Sequence, residues 1–101
     1  MTLTLQVVVK PRAVRQIEQA AEWWGSNRPA APGAIRVDLE GALKVLAEHP
    51  GIGTKVENGR NVDVRRLYLT RVRYFIYYRV TGKTLDVIAF WHERRGSEPS
   101  L

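Results

Sequence analysis

At 101 residues the chain fits one domain, long enough to bury a modest core without metal or disulfide support. It has no cysteine, which excludes a disulfide framework, a thiolate nucleophile and a cysteine-based zinc site. The net charge of +6 is uneven, with +1 over residues 1–59 and +5 over 60–101, so any acidic partner or nucleic acid should meet the C-terminal half.

The first element expected is a strand, because Leu3, Leu5, Val7 and Val9 alternate with Thr4, Gln6 and Val8. That run is too short and too alternating for a signal sequence. Nothing else approaches a membrane span, so a soluble, cytoplasmic protein with no membrane partner is expected. Pro11 then suits a helix start, and Val14, Ile17, Ala21 and Trp24 recur at helical spacing up to Gly25. Trp23 and Trp24 are adjacent on that helix, so one should pack inward and the other stay exposed or be covered by a partner.

After the connection Ser26-Asn27-Arg28-Pro29, a second apolar stripe of Ile35, Leu39, Ala42, Leu43 and Leu46 predicts a helix that starts between Ala30 and Ala34 and ends at His49-Pro50-Gly51. So short a connection predicts a helical hairpin. Gly51, Gly53, Asn58 and Gly59 mark a polar loop to about Asn61. Three strands follow, at Val62–Leu69, Arg73–Val80 and Thr84–His92, the last two joined by a turn at Thr81-Gly82-Lys83. On the middle one, Tyr74, Ile76, Tyr78 and Val80 share one face, while Arg73, Phe75, Tyr77 and Arg79 share the other. The order β-α-α-β-β-β implies an α+β domain, a helical hairpin packed on one face of a largely antiparallel sheet whose other face bears arginines. The tail from Arg94 to Leu101 reads as irregular and mobile.

Between Val64 and Leu85 stand five arginines and all four tyrosines of the chain, and no acidic residue. Arginine binds carboxylates and phosphates bidentately, and tyrosine adds rigid contact area, so this stretch suits an acidic partner or nucleic acid. His49 and His92 are the only histidines, which leaves no transition-metal site, and Gly51-Ile52-Gly53 is a turn rather than a phosphate loop. No cofactor is expected. Arg65, Arg66, Arg73 and Arg79, with His92, Arg94 and Arg95 at the end of the last strand, could stabilise and cleave a phosphodiester or simply bind one, and binding is the reading favoured. His92 reads first as a hydrogen-bonded strand-end residue, although its ordinary pKa near ~6.5 also suits proton transfer.

The segments Lys10-Pro11-Arg12-Ala13, Ala47-Glu48-His49-Pro50-Gly51-Ile52-Gly53, Val64-Arg65-Arg66-Leu67, Tyr77-Tyr78-Arg79-Val80 and Val87-Ile88-Ala89-Phe90-Trp91-His92 together resemble the RelE/ParE superfamily of type II toxin-antitoxin toxins, from about Leu5 to Arg95. The resemblance implies a helical hairpin on an antiparallel sheet, and a toxin neutralised in a hetero-oligomer by a cognate antitoxin whose C-terminal segment wraps it. RelE-like members cleave messenger RNA on the ribosome with basic residues on the middle strands and a tyrosine in the C-terminal segment. Here Phe75 stands where such an arginine is expected, Glu93 follows His92, and the tail has no tyrosine. The paired Arg65-Arg66 and the Trp91-His92 ending are closer to the ParE branch, whose members poison DNA gyrase or a gyrase-DNA complex. The resemblance therefore places target or antitoxin binding on Arg65, Arg66, Arg73, Tyr77, Arg79, His92, Arg94 and Arg95. Were the chain a nuclease, Arg66, Arg79 and His92 would carry the chemistry. A third alternative is a non-toxic member that only binds its antitoxin as a co-repressor.

Overall fold

The computed structural model describes residues 4–57 and 63–101. Leu3, expected at the head of the first strand, the loop markers Asn58, Gly59 and Asn61, and the expected strand start Val62 lie outside the described residues. Among the described residues, five strands form one mixed sheet in the order β1-β5-β4-β3-β2. These are β1 (Gln6–Val9), β2 (Thr54–Val56), β3 (Val64–Leu69), β4 (Tyr74–Thr81) and β5 (Thr84–His92), and two helices, α1 (Pro11–Asn27) and α2 (Ala34–Glu48), lie between β1 and β2. β1 pairs parallel to β5 and the remaining pairs are antiparallel, so the α+β architecture holds with one strand more than expected.

The added strand is β2, in a stretch read from its glycines as loop. Its three residues pair with β3 at Thr54–Arg66, Lys55–Arg65 and Val56–Val64. So short a segment has no legible period of two, and only the neighbouring β3 edge makes it a strand.

Pro11 opens α1 as expected, after an extended Lys10 whose carbonyl accepts the Val14 N–H at 2.9 Å. Its buried line is Ala13, Ile17 and Ala20, flanked by partly buried Ala21 and Trp24, while Val14, expected inward, is 37% exposed. Gly25 does not end the helix. The last turn runs on to Asn27, where the Asn27 side chain donates to the Trp23 carbonyl at 2.8 Å and the Arg28 N–H to the Trp24 carbonyl at 2.8 Å, satisfying carbonyls that a helix end leaves open. α2 buries Ala34, Ile35, Leu39, Leu46 and Ala47 against α1 and the sheet.

The core between helices and sheet takes Ile76 and Tyr78 from β4 and Leu85, Val87 and Phe90 from β5, all nearly inaccessible. Past the end of β1, the Phe90 N–H is met by the Gln16 Oε1 of α1 at 2.8 Å. The β3–β4 turn closes on Arg73, which has a left-handed φ of 65° and donates its N–H to the Leu69 carbonyl at 2.8 Å. Arg73 therefore belongs to the turn and not to the strand expected to begin there. The β4–β5 turn is built on Gly82, with φ of 59°, and Thr84 Oγ1 donates to the Thr81 carbonyl at 2.9 Å.

The segment Pro50-Gly51-Ile52-Gly53 is a structural latch. The Tyr78 hydroxyl accepts from the Gly53 N–H at 2.9 Å and donates to the Pro50 carbonyl at 2.6 Å. A Cβ at Gly53 would overlap that hydroxyl, so the close approach requires glycine. Arg65 donates from above to the carbonyls of Gly53, at 2.8 Å, and Gly51, at 3.2 Å.

Candidate functional site

Two distinct regions stand out, one on the sheet face turned away from the helices and one beside the end of α1. In the first, β3, β4 and β5 bring Val64, Tyr77 and Ala89 into a small buried cluster, with Val56, Phe75, Ile88, Trp91 and Leu101 packed around it. Leu101 belongs to the tail expected to be mobile. Here the tail instead lies across the face: Trp91 Nε1 donates to the Ser97 carbonyl at 2.7 Å, Arg12 of α1 donates to the Ser100 carbonyl, and Pro99 is buried. The cause is the exposed apolar area of Phe75, Tyr77 and Trp91, which the tail removes from water. A residual cavity of about 270 Å³ remains between Arg66, Phe75, Trp91 and the turn at Gly96–Glu98.

The arginines of β3, β4 and the turn between them are less available than their sequence neighbourhood indicates; Arg66 and Arg79 lie on this face, Arg65, opposite Tyr78, lies on the helix side, and Arg73 is in the turn. Arg65 stands 3.8 Å from Asp63, Arg66 3.7 Å from Glu98, Arg73 3.7 Å from Glu93 and Arg79 3.8 Å from Asp86. All four carboxylates flank the acid-free stretch in sequence and are folded back onto it. Arg66 also lies over the Phe75 ring, 4.3 Å from its centroid, and reaches the Tyr77 hydroxyl at 3.4 Å. Tyr77, expected among the binding residues, is 1% exposed and offers no surface. Asp86, only 4% exposed, has its Oδ1 3.1 Å from Thr84 Oγ1, while the buried Arg79 Nε has no hydrogen-bond partner among the described residues.

The second region is an open cleft of about 680 Å³ at the end of the sheet where α1 stops. α1 supplies Trp23 and Trp24, its C-cap supplies Arg28, the β3–β4 turn supplies Arg71 and Arg73, and the ends of β4 and β5 supply Tyr74, His92 and Arg94. Trp24 is fixed by donating Nε1 to the Ala31 carbonyl at 2.9 Å. Trp23 meets it edge-on, with 6.3 Å between ring centroids, and is 49% exposed. The Arg28 guanidinium lies 5.3 Å from the Trp23 centroid and 5.8 Å from that of Trp24. Arg71 is held in a two-bond pair with Asp38 of α2 at 2.9 and 2.5 Å, and Arg73 is offset by Glu93, which also accepts from Tyr68 at 2.6 Å.

His92 sits edge-on to Tyr74, 4.9 Å between centroids, and its Nδ1 accepts the Arg94 N–H at 3.0 Å. Burial pushes its pKa below the ordinary imidazole value, and the Arg94, Arg73 and Arg95 guanidiniums push the same way against Glu93. The imidazole is thus neutral at pH 7, with Nε2 as its remaining polar atom. Arg95 stacks 4.3 Å from the Trp91 centroid, away from the cleft. Of the expected site residues, then, the structure gathers Arg73, His92 and Arg94 in the cleft, Arg66 and Tyr77 under the tail, and Arg65 and Arg79 toward the latch and the buried Asp86.

Trp23, Trp24, Arg28 and Arg71 were not singled out as a site. Part of the signal was present: two adjacent aromatics with an arginine four residues beyond the second, at the end of a helix, place cation and rings together. Among the described residues no three His, Asp or Glu side chains form a metal-binding group, and no helix is long and apolar enough to cross a membrane.

The family model for the ParE toxin of the type II toxin-antitoxin system parDE matches residues 7–96. The chain is 30% identical over 90 residues to a protein named Toxin RelE1 of Caulobacter vibrioides, covering 89% of this chain and 95% of that one. It also superposes on a chain of the chromosomal ParDE toxin-antitoxin system from P. aeruginosa with a TM-score of 0.70 at 18% identity, covering 90% of this chain and 98% of the other, a likeness of fold. The helical hairpin on a mixed sheet and these matches lead to one conclusion: the chain belongs to the ParE family of type II toxin-antitoxin toxins, within the RelE/ParE superfamily, and so to a class of protein partnered by an antitoxin.

Proposed function

We propose that this toxin acts without hydrolysis, as a poison of DNA gyrase or of a gyrase-DNA complex, and that a cognate antitoxin neutralises it by binding its basic sheet face with an acidic and apolar segment. The observation that carries the first part is the composition of the sheet face under the tail. At its centre Arg66 lies over Phe75 and is answered by Glu98, and among the described residues no imidazole or carboxylic acid stands with two unpaired cations around a common point on this face. A nuclease needs such a constellation, since each phosphate-stabilising or proton-transferring group commonly contributes ~10² to 10⁴ in rate. Arg94 and Arg95, exposed at the end of β5, are the cations offered to the target.

The second reading is a ribosome-dependent endoribonuclease of RelE type. It draws on the relative named Toxin RelE1 and on the cleft, where His92, a neutral imidazole, stands with Arg28 and Arg94, both unpaired among the described residues. The experiment that separates the two pairs a gyrase supercoiling and cleavage assay on purified protein with primer extension on messenger RNA from cells expressing the chain. Gyrase-DNA cleavage complexes lost on replacing Arg94 and Arg95 by alanine are expected. Ribosome-dependent cuts that vanish in His92→Ala would overturn the gyrase reading.

A further inference from the structure

We propose that the cleft at the end of α1 is a binding site for one or two nucleotides of a single-stranded nucleic acid, with an unstacked base on Trp23 and the flanking phosphates on Arg28 and Arg94. Four guanidiniums line the cleft, those of Arg28, Arg71, Arg73 and Arg94. Asp38 answers Arg71 and Glu93 answers Arg73. Arg28 and Arg94 have no carboxylate within ion-pair distance among the described residues, so the cleft keeps two positive charges, the charge of two backbone phosphates.

The aromatic component decides which anion the cleft suits. An acidic peptide needs cations only, whereas here half of the Trp23 surface faces water and its Nε1 has no hydrogen-bond partner among the described residues. Trp24 below it is locked by Ala31 and Arg28 lies against both rings, so the platform is held in place before any ligand arrives. An exposed indole beside guanidiniums is the arrangement by which proteins hold single strands, base on ring and phosphate on cation, with little dependence on sequence. A base within a duplex is already stacked on both faces and cannot use it. Tyr74 and the Nε2 of neutral His92 complete the wall and offer polar contacts to a base edge or a sugar hydroxyl. This site is distinct from the tail-covered face, shares Arg94 with the proposed target contact, and can be tested with the target absent.

The test uses the full-length chain and fluorescein-labelled oligonucleotides of about ten residues in low salt, without gyrase or ribosomes, read by anisotropy and by quenching of tryptophan emission. Single-stranded DNA and RNA of one sequence, the corresponding duplex, polyphosphate and poly-glutamate serve as separate arms. Binding of a single strand with quenching is expected, weakened roughly tenfold in Trp23→Ala and substantially retained in Trp23→Phe, as a stacking contact of ~1–3 kcal/mol predicts. Arg28→Ala and Arg94→Ala should each weaken it and lower its salt dependence by about one ion. Lys83→Ala, at the far turn of the β4–β5 hairpin, removes the same charge and should leave it within about twofold. Comparison of the DNA and RNA arms assigns the source of the strand. Equal affinity for polyphosphate with no effect of Trp23→Ala would reduce the cleft to an anion site and overturn the proposal, as would tighter binding of poly-glutamate or loss of affinity in Lys83→Ala equal to that in Arg94→Ala.

Discussion

The tail-covered sheet face and the open cleft are built from the same residue types, arginine and large aromatics, yet they differ in what those residues have left to offer. Across the face, Arg66 and Arg79 each have a carboxylate at 3.7–3.8 Å, and Phe75, Tyr77 and Trp91 are roofed by Ser97–Leu101. In the cleft, Arg28 and Arg94 have none among the described residues and Trp23 is half exposed. Charge along a sequence is thus a poor guide to charge available at a surface, because strand pairing and a returning tail bring acids from outside the window onto it. The face serves architecture in the free chain, and any partner that binds there must displace the tail.

The largest expected effect tests the architectural half of that contrast. Asp86→Ala leaves Arg79 Nε buried without a carboxylate. Breaking a fully buried pair costs roughly 3–5 kcal/mol, and because the Arg79 side chain is 40% exposed a loss of about 2–3 kcal/mol is expected, read as a lower midpoint in urea unfolding. A change below ~0.5 kcal/mol would mean that solvent already answers Arg79.

Deleting residues 97–101 should come next. It returns Tyr77 and Trp91 to water and removes Leu101 from the Val64–Tyr77–Ala89 cluster, for a loss of about 2 kcal/mol. Tryptophan emission should shift to the red as Trp91 loses its cover. If stability and emission are unchanged, the tail does not roof the face in solution.

Arg66→Met separates pairing from packing. The side chain is 34% exposed and its partner Glu98 58%, and such surface pairs contribute about 0–1 kcal/mol, so stability should change by less than ~1 kcal/mol. A larger loss would place its contribution in the stack over Phe75.

The smallest effect belongs to His92. Its folded pKa is lowered, so its neutral form is the one that folding favours, and its contribution is complete above the ordinary imidazole value of about 6.5 and lost as pH falls through that value toward the folded one. The charged groups around it are Glu93, Arg94, Arg73 and Arg95, with Arg28 and Arg71 across the cleft. Stability measured from pH 7 downward should decline first in the wild type, and His92→Asn should flatten that early decline. Parallel curves for the two proteins would show that His92 does not titrate in this window.

Much of the fold was legible because its elements are long enough to show a period. α1, α2 and β3 to β5 carry apolar stripes or alternation, and the turn at Gly82 has the residue that its left-handed φ requires. The segments misread are those with no period of their own. β2 has three residues, the last turn of α1 runs through Gly25, and Arg73 adopts a left-handed turn conformation that side chains other than glycine rarely take. Of the candidate site, Arg73, His92 and Arg94 were legible as strand-end cations and an imidazole, whereas Trp23 and Arg28 come from the end of α1, far in sequence from those three.

By itself the sequence determined the α+β class, the helical hairpin, the alternation that sends Tyr78 inward and Tyr77 to the other face, and the kinship with ParE toxins, since all of these follow from local spacing and residue order. Only the tertiary structure decided which arginines keep their charge for a partner. Ion pairing depends on separations of a few ångströms across strands and helices, and Asp38–Arg71, Glu98–Arg66 and Glu93–Arg73 are contacts that no local pattern encodes. For the same reason Trp23 became a platform only when α1 ended beside the β3–β4 turn, where three separate segments close around one space.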